Sequence, residues 1–139
     1  MTESTVTLTR DAHEKMIEHA RDGHPLEVCG VLGGRRGDPV RVRTVHRTEN
    51  VAGNPRQTYV VDPAEQYAAM EAIEDAGDDV VGFYHSHPDG PPRPSATDAA
   101  RATWPGRTYL LVDLAGDEPT VGAWRWTGDR FERQAIAVR

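Results

Sequence analysis

Alternation of apolar and polar residues predicts that the chain is rich in β-strands. Apolar and polar residues alternate strictly over 40–46, which is typical of a strand with one exposed face. Shorter apolar or β-branched runs predict further strands. These lie at 6–9, 26–32, 58–61, 80–84 and 109–112, with a closing hairpin over 121–127 and 130–138.

Apolar residues at helical spacing, with start signals before them, predict three helices. The first runs over 10–22 after Thr9 as the N-cap, and the second begins at Asp62 with Pro63 in its first position. A short third helix over 96–102 follows a loop rich in proline and glycine. This order of elements predicts the α/β class, with one mixed sheet flanked by helices.

The length, charge and cysteine content narrow the class of protein. A chain of 139 residues predicts a single domain spanning 1–139. The net charge of −6 provides no general basic field for nucleic acid, so we expect no nucleic-acid partner. The apolar runs are too short to span a membrane, and the N-terminus lacks the pattern of a secretion signal. These two observations predict a cytoplasmic protein. The single Cys29 excludes an internal disulfide.

Two histidines and an aspartate suggest a metal site. His85 and His87 follow the strand predicted over 80–84. Side chains two residues apart on a strand project from the same face. Asp98 lies in the first turn of the third helix and can supply a third ligand. Two imidazoles and one carboxylate suit zinc and leave a coordination position for water, as in catalytic sites.

Simpler interpretations exist for each part of this pattern. Ser95 and Asp98 have the spacing of a helix capping box, a role compatible with metal binding. Isolated histidines are usually structural or solvated. On that ground three others are assigned to the surface or to loops: His13, His19 and His24. The metal interpretation is favoured because the whole string is far more specific than its parts.

The string also carries a family resemblance. His85-Ser-His87-Pro, followed after seven residues by Ser95 and after two more by Asp98, resembles the signature of JAMM/MPN-domain zinc metalloproteases of the stand-alone prokaryotic type. The resemblance implies the JAMM/MPN fold, which is similar to that of cytidine deaminases. It also implies that the Ser95 hydroxyl donates a hydrogen bond to the carbonyl oxygen under attack.

An upstream glutamate extends the resemblance. The family has a glutamate in a Glu-x-Cys-Gly-like strand, and this chain has Glu27-Val-Cys29-Gly30. Without the downstream motif, Glu27 would be interpreted as an edge-strand residue facing water, since burying a carboxylate is costly. With the motif, Glu27 is expected to be the general base. Cys29 is expected to be a small buried residue rather than a nucleophile.

The expected substrate follows from the resemblance alone. It implies hydrolysis after the C-terminal Gly-Gly of a ubiquitin-like or sulfur-carrier β-grasp protein. An extended glycine tail can add to a sheet as a strand, and the loop 50–56 with the strand 58–61 is the predicted edge. A non-catalytic MPN-type scaffold and a zinc hydrolase of a small amide remain alternatives. The sequence leaves the oligomeric state open.

Overall fold

The computed structural model describes residues 4–139 and contains seven strands and three helices. Residues 1–3, which belong to the predicted domain and to the N-terminal stretch without a signal pattern, lie outside the described part. The strands are β1 Thr5–Leu8, β2 Cys29–Arg35, β3 Val40–Thr48, β4 Asp79–His87, β5 Thr108–Asp113, β6 Thr120–Trp126 and β7 Phe131–Val138. The helices are α1 Arg10–Gly23, α2 Pro63–Asp75 and α3 Ala96–Arg101.

The strands close into a barrel, in the neighbour order β1-β3-β2-β4-β5-β6-β7. Pairing is parallel for β1 with β3, β1 with β7 and β4 with β5, and antiparallel elsewhere. The α/β class and the mixed sheet are therefore correct. The expectation of a simple sheet flanked by helices is wrong, because β1 pairs with both β3 and β7 and so joins the two ends of the sheet.

Capping side chains begin the two long helices where the sequence predicts. The Thr9 Oγ1 accepts a hydrogen bond from the Ala12 N–H at 3.1 Å, and the Asp62 Oδ1 accepts one from the Ala64 N–H at 2.9 Å. Each bond satisfies a donor that the first helical turn leaves without a backbone partner. Within residues 4–139, no helix has the length and apolar character needed to cross a membrane.

Two apolar clusters pack on opposite sides of the sheet and orient β4. On one side, α1 packs through Met16 against strand residues that include Tyr84. On the other side, α2 packs through Ile73 against residues that include Phe83. Because side chains alternate along a strand, His85 and His87 lie on the same side as Phe83.

Two of the predicted strands differ in the structure. The second begins at Cys29 rather than at residue 26, so Glu27 lies outside its regular ladder. Residues 58–61 form no strand, and the only pairing there is an isolated bridge between Asn50 and Val61. The reason is that the Asn50 side chain occupies the Thr58 carbonyl and the Val60 N–H, the groups that a neighbouring strand would need.

Candidate metal centre

Three predicted metal ligands meet at the C-terminal end of β4. The Nε2 atoms of His85 and His87 each lie 3.0 Å from the Oδ2 of Asp98. The three residues are buried, with 1%, 5% and 4% of their surface exposed, respectively. Glu27 completes the cluster, since one ligand atom from each of the four residues lies within 4.8 Å of the others. The fold therefore assembles residues that are 71 positions apart, from Glu27 to Asp98.

The pairing of Val28 with Ser86 brings Glu27 to the histidines. The Val28 N–H donates to the Ser86 Oγ at 2.9 Å, and the Ser86 N–H donates to the Val28 carbonyl at 3.0 Å. Ser86 lies between the two histidines and is fully buried. Its side chain extends the contact between the two segments beyond the start of β2, which places Glu27 beside His85 and His87.

The start of α3 positions Asp98. The Ser95 Oγ accepts from the Asp98 N–H at 3.0 Å, while the Asp98 Oδ2 accepts from the Ser95 N–H at 2.8 Å. Both bonds of the predicted capping box are therefore present. The same Oδ2 faces both imidazoles, so the capping aspartate is also the carboxylate of the cluster.

Neighbouring groups fix the orientation of the two imidazoles. The Nδ1 of His87 lies 2.8 Å from the Pro91 carbonyl, which can only accept, so Nδ1 carries a proton and Nε2 is directed at the cluster. The Tyr59 ring stacks on His85, with centroids 4.4 Å apart and an interplanar angle of 22°. The Nδ1 of His85 is buried and has no hydrogen-bond partner among residues 4–139.

Burial and close contacts shift the pKa values of these groups in different directions. Burial lowers the pKa of His85, and Asp98 opposes this. Burial acts in the same direction on His87, but its bonds to Asp98 and to the Pro91 carbonyl outweigh it and raise the pKa. For Asp98, burial works to raise the pKa, and hydrogen bonds from both histidines hold it well below its usual range.

Glu27 is the fourth residue of the cluster and supplies a second carboxylate. Its residue is 5% exposed, and its Oε1 has no hydrogen-bond partner within the described part of the chain. Burial raises the pKa of Glu27 to about 7, and the nearby His87 opposes the rise. A carboxyl group with a pKa near neutrality can accept a proton and release it again.

The arrangement of the three ligand atoms suits a metal ion. With Nδ1 of His87 donating to the Pro91 carbonyl, the hydrogen bond between Nε2 and the Asp98 carboxylate requires a second proton on the ring. A divalent cation can take the place of that proton, because two imidazole nitrogens and a carboxylate oxygen are a donor set that such ions prefer. The carbonyl that fixes His87 is a typical outer partner of a metal-bound histidine.

Other expectations are partly met. Cys29 is buried, as predicted, and burial raises the pKa of its thiol to about 11. The assignment of His19 to the surface is wrong, because it is half-buried and its Nδ1 lies 2.6 Å from the Tyr84 hydroxyl. Ser95 is half-buried at the edge of the cluster.

Sequence reasoning missed three residues that build the site: Asn50, Tyr59 and Ser86. Only Ser86 carries a signal that could have found it. Alternation places Ser86 on the core side of β4, opposite the histidines, where a buried hydroxyl requires a partner. Asn50 and Tyr59 lie in irregular segments, so no periodicity predicts where they point.

Comparisons with known proteins identify the family of this chain. The family model described as prokaryotic homologs of the JAB domain matches residues 9–127. A desampylase of Haloferax volcanii is 48% identical over 142 residues, covering 99% of both chains. A CysO-cysteine peptidase of Mycobacterium tuberculosis is 38% identical over 107 residues, covering 77% of this chain and 72% of that one.

A solved structure supports the same assignment. The solution structure of a protein from Desulfitobacterium hafniense superimposes with a TM-score of 0.87 at 36% identity, covering 96% of this chain and 92% of the other. The resemblance to stand-alone prokaryotic JAMM/MPN proteins is thereby confirmed. The chain belongs to the family of prokaryotic JAB-domain homologs.

Proposed function

We propose that this chain is a zinc-dependent peptidase that hydrolyses the bond after the C-terminal Gly-Gly of a ubiquitin-like or sulfur-carrier protein. The observation that carries the proposal is the buried convergence of His85, His87 and Asp98 beside Glu27, whose Oε1 has no hydrogen-bond partner among the described residues. The proposal treats residues 1–139 as one domain. It places the activity in the cytoplasm, in keeping with the free thiol of Cys29.

Zinc fits the donor set of the cluster. The Nε2 atoms of His85 and His87 and the Oδ2 of Asp98 would hold the ion, and such three-ligand sets are typical of catalytic zinc. Zinc bound there would supply Lewis-acid chemistry, which activates water and polarises the scissile carbonyl.

Glu27 is the proposed general base. Its carboxylate lies within the cluster, and its pKa of about 7 lets it take a proton from the attacking water near neutral pH. The same carboxyl group then delivers that proton to the leaving amine. Since its Oε1 has no hydrogen-bond donor within residues 4–139, no ion pair has to break before Glu27 accepts the proton.

Ser95 is the proposed donor to the developing oxyanion. Its Oγ accepts the Asp98 N–H, which leaves the hydroxyl proton free to point elsewhere. The residue is half-buried, so substrate can reach it. A preorganised donor at this position stabilises the negative charge that forms as the carbonyl is attacked.

The substrate class is supported by the names of the relatives. A desampylase and a CysO-cysteine peptidase both match most of this chain. These names support a protein conjugate as the substrate, and they differ in what leaves: a conjugated protein in one case and a single amino acid in the other.

Two alternatives remain as outcomes of the test. A non-catalytic scaffold is disfavoured because Glu27, His85, His87, Ser95 and Asp98 are all present. A zinc hydrolase of a small amide would use the same cluster without recognising a protein.

The deciding experiment presents zinc-loaded protein with β-grasp partners that end in Gly-Gly. One set carries a lysine isopeptide extension and the other a single C-terminal amino acid, and mass spectrometry locates the cut. We expect cleavage directly after Gly-Gly in at least one set, and the preferred extension identifies the leaving group. Cleavage of generic peptide amides alone would support the small-amide hydrolase, and no cleavage by a zinc-loaded protein would support the scaffold.

A further inference from the structure

We propose that Asn50 is a positioning residue, which holds the backbone of Glu27 so that its carboxylate stays in the cluster. This inference rests on the proposed function, in which Glu27 is the general base. It assigns Asn50 a task that the metal motif does not contain, since Asn50 lies on the loop between β3 and α2.

Glu27 depends on its backbone for its position. It precedes β2, so the regular ladder of β2 with β3 and β4 does not include it. Its Oε1 has no partner among residues 4–139, so no hydrogen bond to that atom fixes the carboxylate. The backbone of Glu27 is held on both sides instead. Its N–H donates to the Pro55 carbonyl at 2.7 Å, and its carbonyl accepts from the Asn50 Nδ2 at 3.0 Å.

Asn50 uses the full hydrogen-bonding capacity of its amide. Its Nδ2 donates to the carbonyls of Glu27 and Thr58, each at 3.0 Å. Its Oδ1 accepts from the N–H groups of Ala52 and Val60, also at 3.0 Å. An amide has two donors and two acceptor lone pairs, so all four are satisfied. Fixed bonds at both ends hold the side chain in a single orientation.

The Asn50 amide therefore joins two segments directly. One segment carries the proposed base, and the other, Thr58 to Val60, includes the Tyr59 ring that stacks on His85. A shift in the loop is transmitted to the Glu27 backbone through Nδ2. Displacing a catalytic group by ~1 Å can cost ~10²-fold in rate, so this connection matters for turnover.

Asn50→Asp is the most informative variant, because it keeps the size of the side chain and both hydrogen bonds that Oδ1 accepts. It replaces the donor that holds Glu27 and Thr58 with an oxygen that repels their carbonyls. Asn54→Asp is the matched control. Asn54 lies on the same loop and is exposed, and its Nδ2 donates to the Gln57 Oε1 at 3.3 Å rather than to Glu27, so the control adds the same charge without touching Glu27.

The first measurement is amide hydrogen exchange at Glu27 by NMR, which requires no substrate. We expect faster exchange of the Glu27 N–H in Asn50→Asp than in the wild type and in Asn54→Asp, because the bond to Pro55 loses its support. Equal exchange in all three proteins would overturn the proposal. The result stands even where the proposed peptidase activity is not found, so the two claims fail separately.

The second measurement is a double-mutant cycle on turnover, with zinc content and folding checked for each protein. Asn50→Asp should lower kcat by at least ~10-fold with zinc retained, and it should have little further effect when Glu27→Gln is already present. If Asn50→Asp lowers kcat by the same factor in the wild type and in Glu27→Gln, Asn50 has a purely structural role and the assignment is overturned. If Asn50→Asp does not fold, Asn50→Ser, which also lacks the amide donor, takes its place in both measurements.

Discussion

Ser95 and Asp98 bind each other through two hydrogen bonds, each donating its backbone N–H to the side chain of the other. The pair begins α3 and at the same time directs the Asp98 Oδ2 at His85 and His87. The capping box that begins this helix therefore also orients the carboxylate that we propose as a metal ligand. Because the Ser95 Oγ accepts in this pair, its hydroxyl proton can serve the role of oxyanion donor that we propose.

Ser95→Ala should lower kcat by ~10²-fold or more, since it removes a donor to the oxyanion. It should also lower the free energy of unfolding by about 1 kcal/mol through loss of the cap. Thr9→Ala is the matched control, because Thr9 caps α1 in the same way but lies away from the cluster. Peptidase assays and urea unfolding should show the stability loss in both variants and the rate loss only in Ser95→Ala.

Purified protein should contain about one zinc ion per chain, as expected for one three-ligand site. His87→Ala and Asp98→Ala should lose most of it, since each removes one of three ligands. Zinc should also raise the melting temperature of the wild type more than that of either variant, because a ligand that binds the folded state stabilises it. His24→Ala, at an exposed histidine, should retain the metal. Full zinc content in both ligand variants would contradict the assignment.

Glu27→Gln should keep the zinc and lower turnover by at least ~10²-fold, because the amide cannot accept the proton. Elemental analysis and single-turnover assays measure the two effects separately. Glu118→Gln, an identical change at an exposed position, should leave both unchanged. Normal turnover in a zinc-loaded Glu27→Gln protein would assign Glu27 a structural role.

Acid should weaken the folded state through His19. Burial and the nearby Arg47 lower its pKa from 6.5 to about 4, and Asp22 opposes them. Between these values the unfolded chain binds more protons than the folded one, so stability falls as the pH drops from 6.5 to about 4. Urea unfolding of His19→Gln should show a smaller loss across this range, with His13→Gln on the same helix as the control. An equal loss in all three proteins would mean that His19 does not contribute.

The sequence predicted the parts of the site that follow local rules. Period-two alternation placed His85 and His87 on one face of β4, and capping spacing located Asp98 at the start of α3. Glu27 was expected within a strand, but β2 begins at Cys29, because the loop from Asn50 takes both backbone groups of Glu27. Such contacts between distant segments leave no periodic pattern in the sequence.

The closed sheet was missed for the same reason. The pairing of β1 with β7 places Thr5 opposite Ala135. Neither strand has a sequence pattern that identifies the strand it pairs with. Hydrophobic alternation shows which residues of a strand are buried, but it does not show which strand lies next to it.

This closure also constrains the order of folding. Because Thr5 pairs with Ala135, the barrel cannot close during synthesis until β7 has left the ribosome. Until then, one side of β1 and one side of β6 have unpaired backbone groups, which are sites for association with other chains. Contacts so distant in sequence also form slowly, since loop closure must precede them. The nascent chain is therefore expected to be exposed to aggregation through these two edges until β7 has emerged.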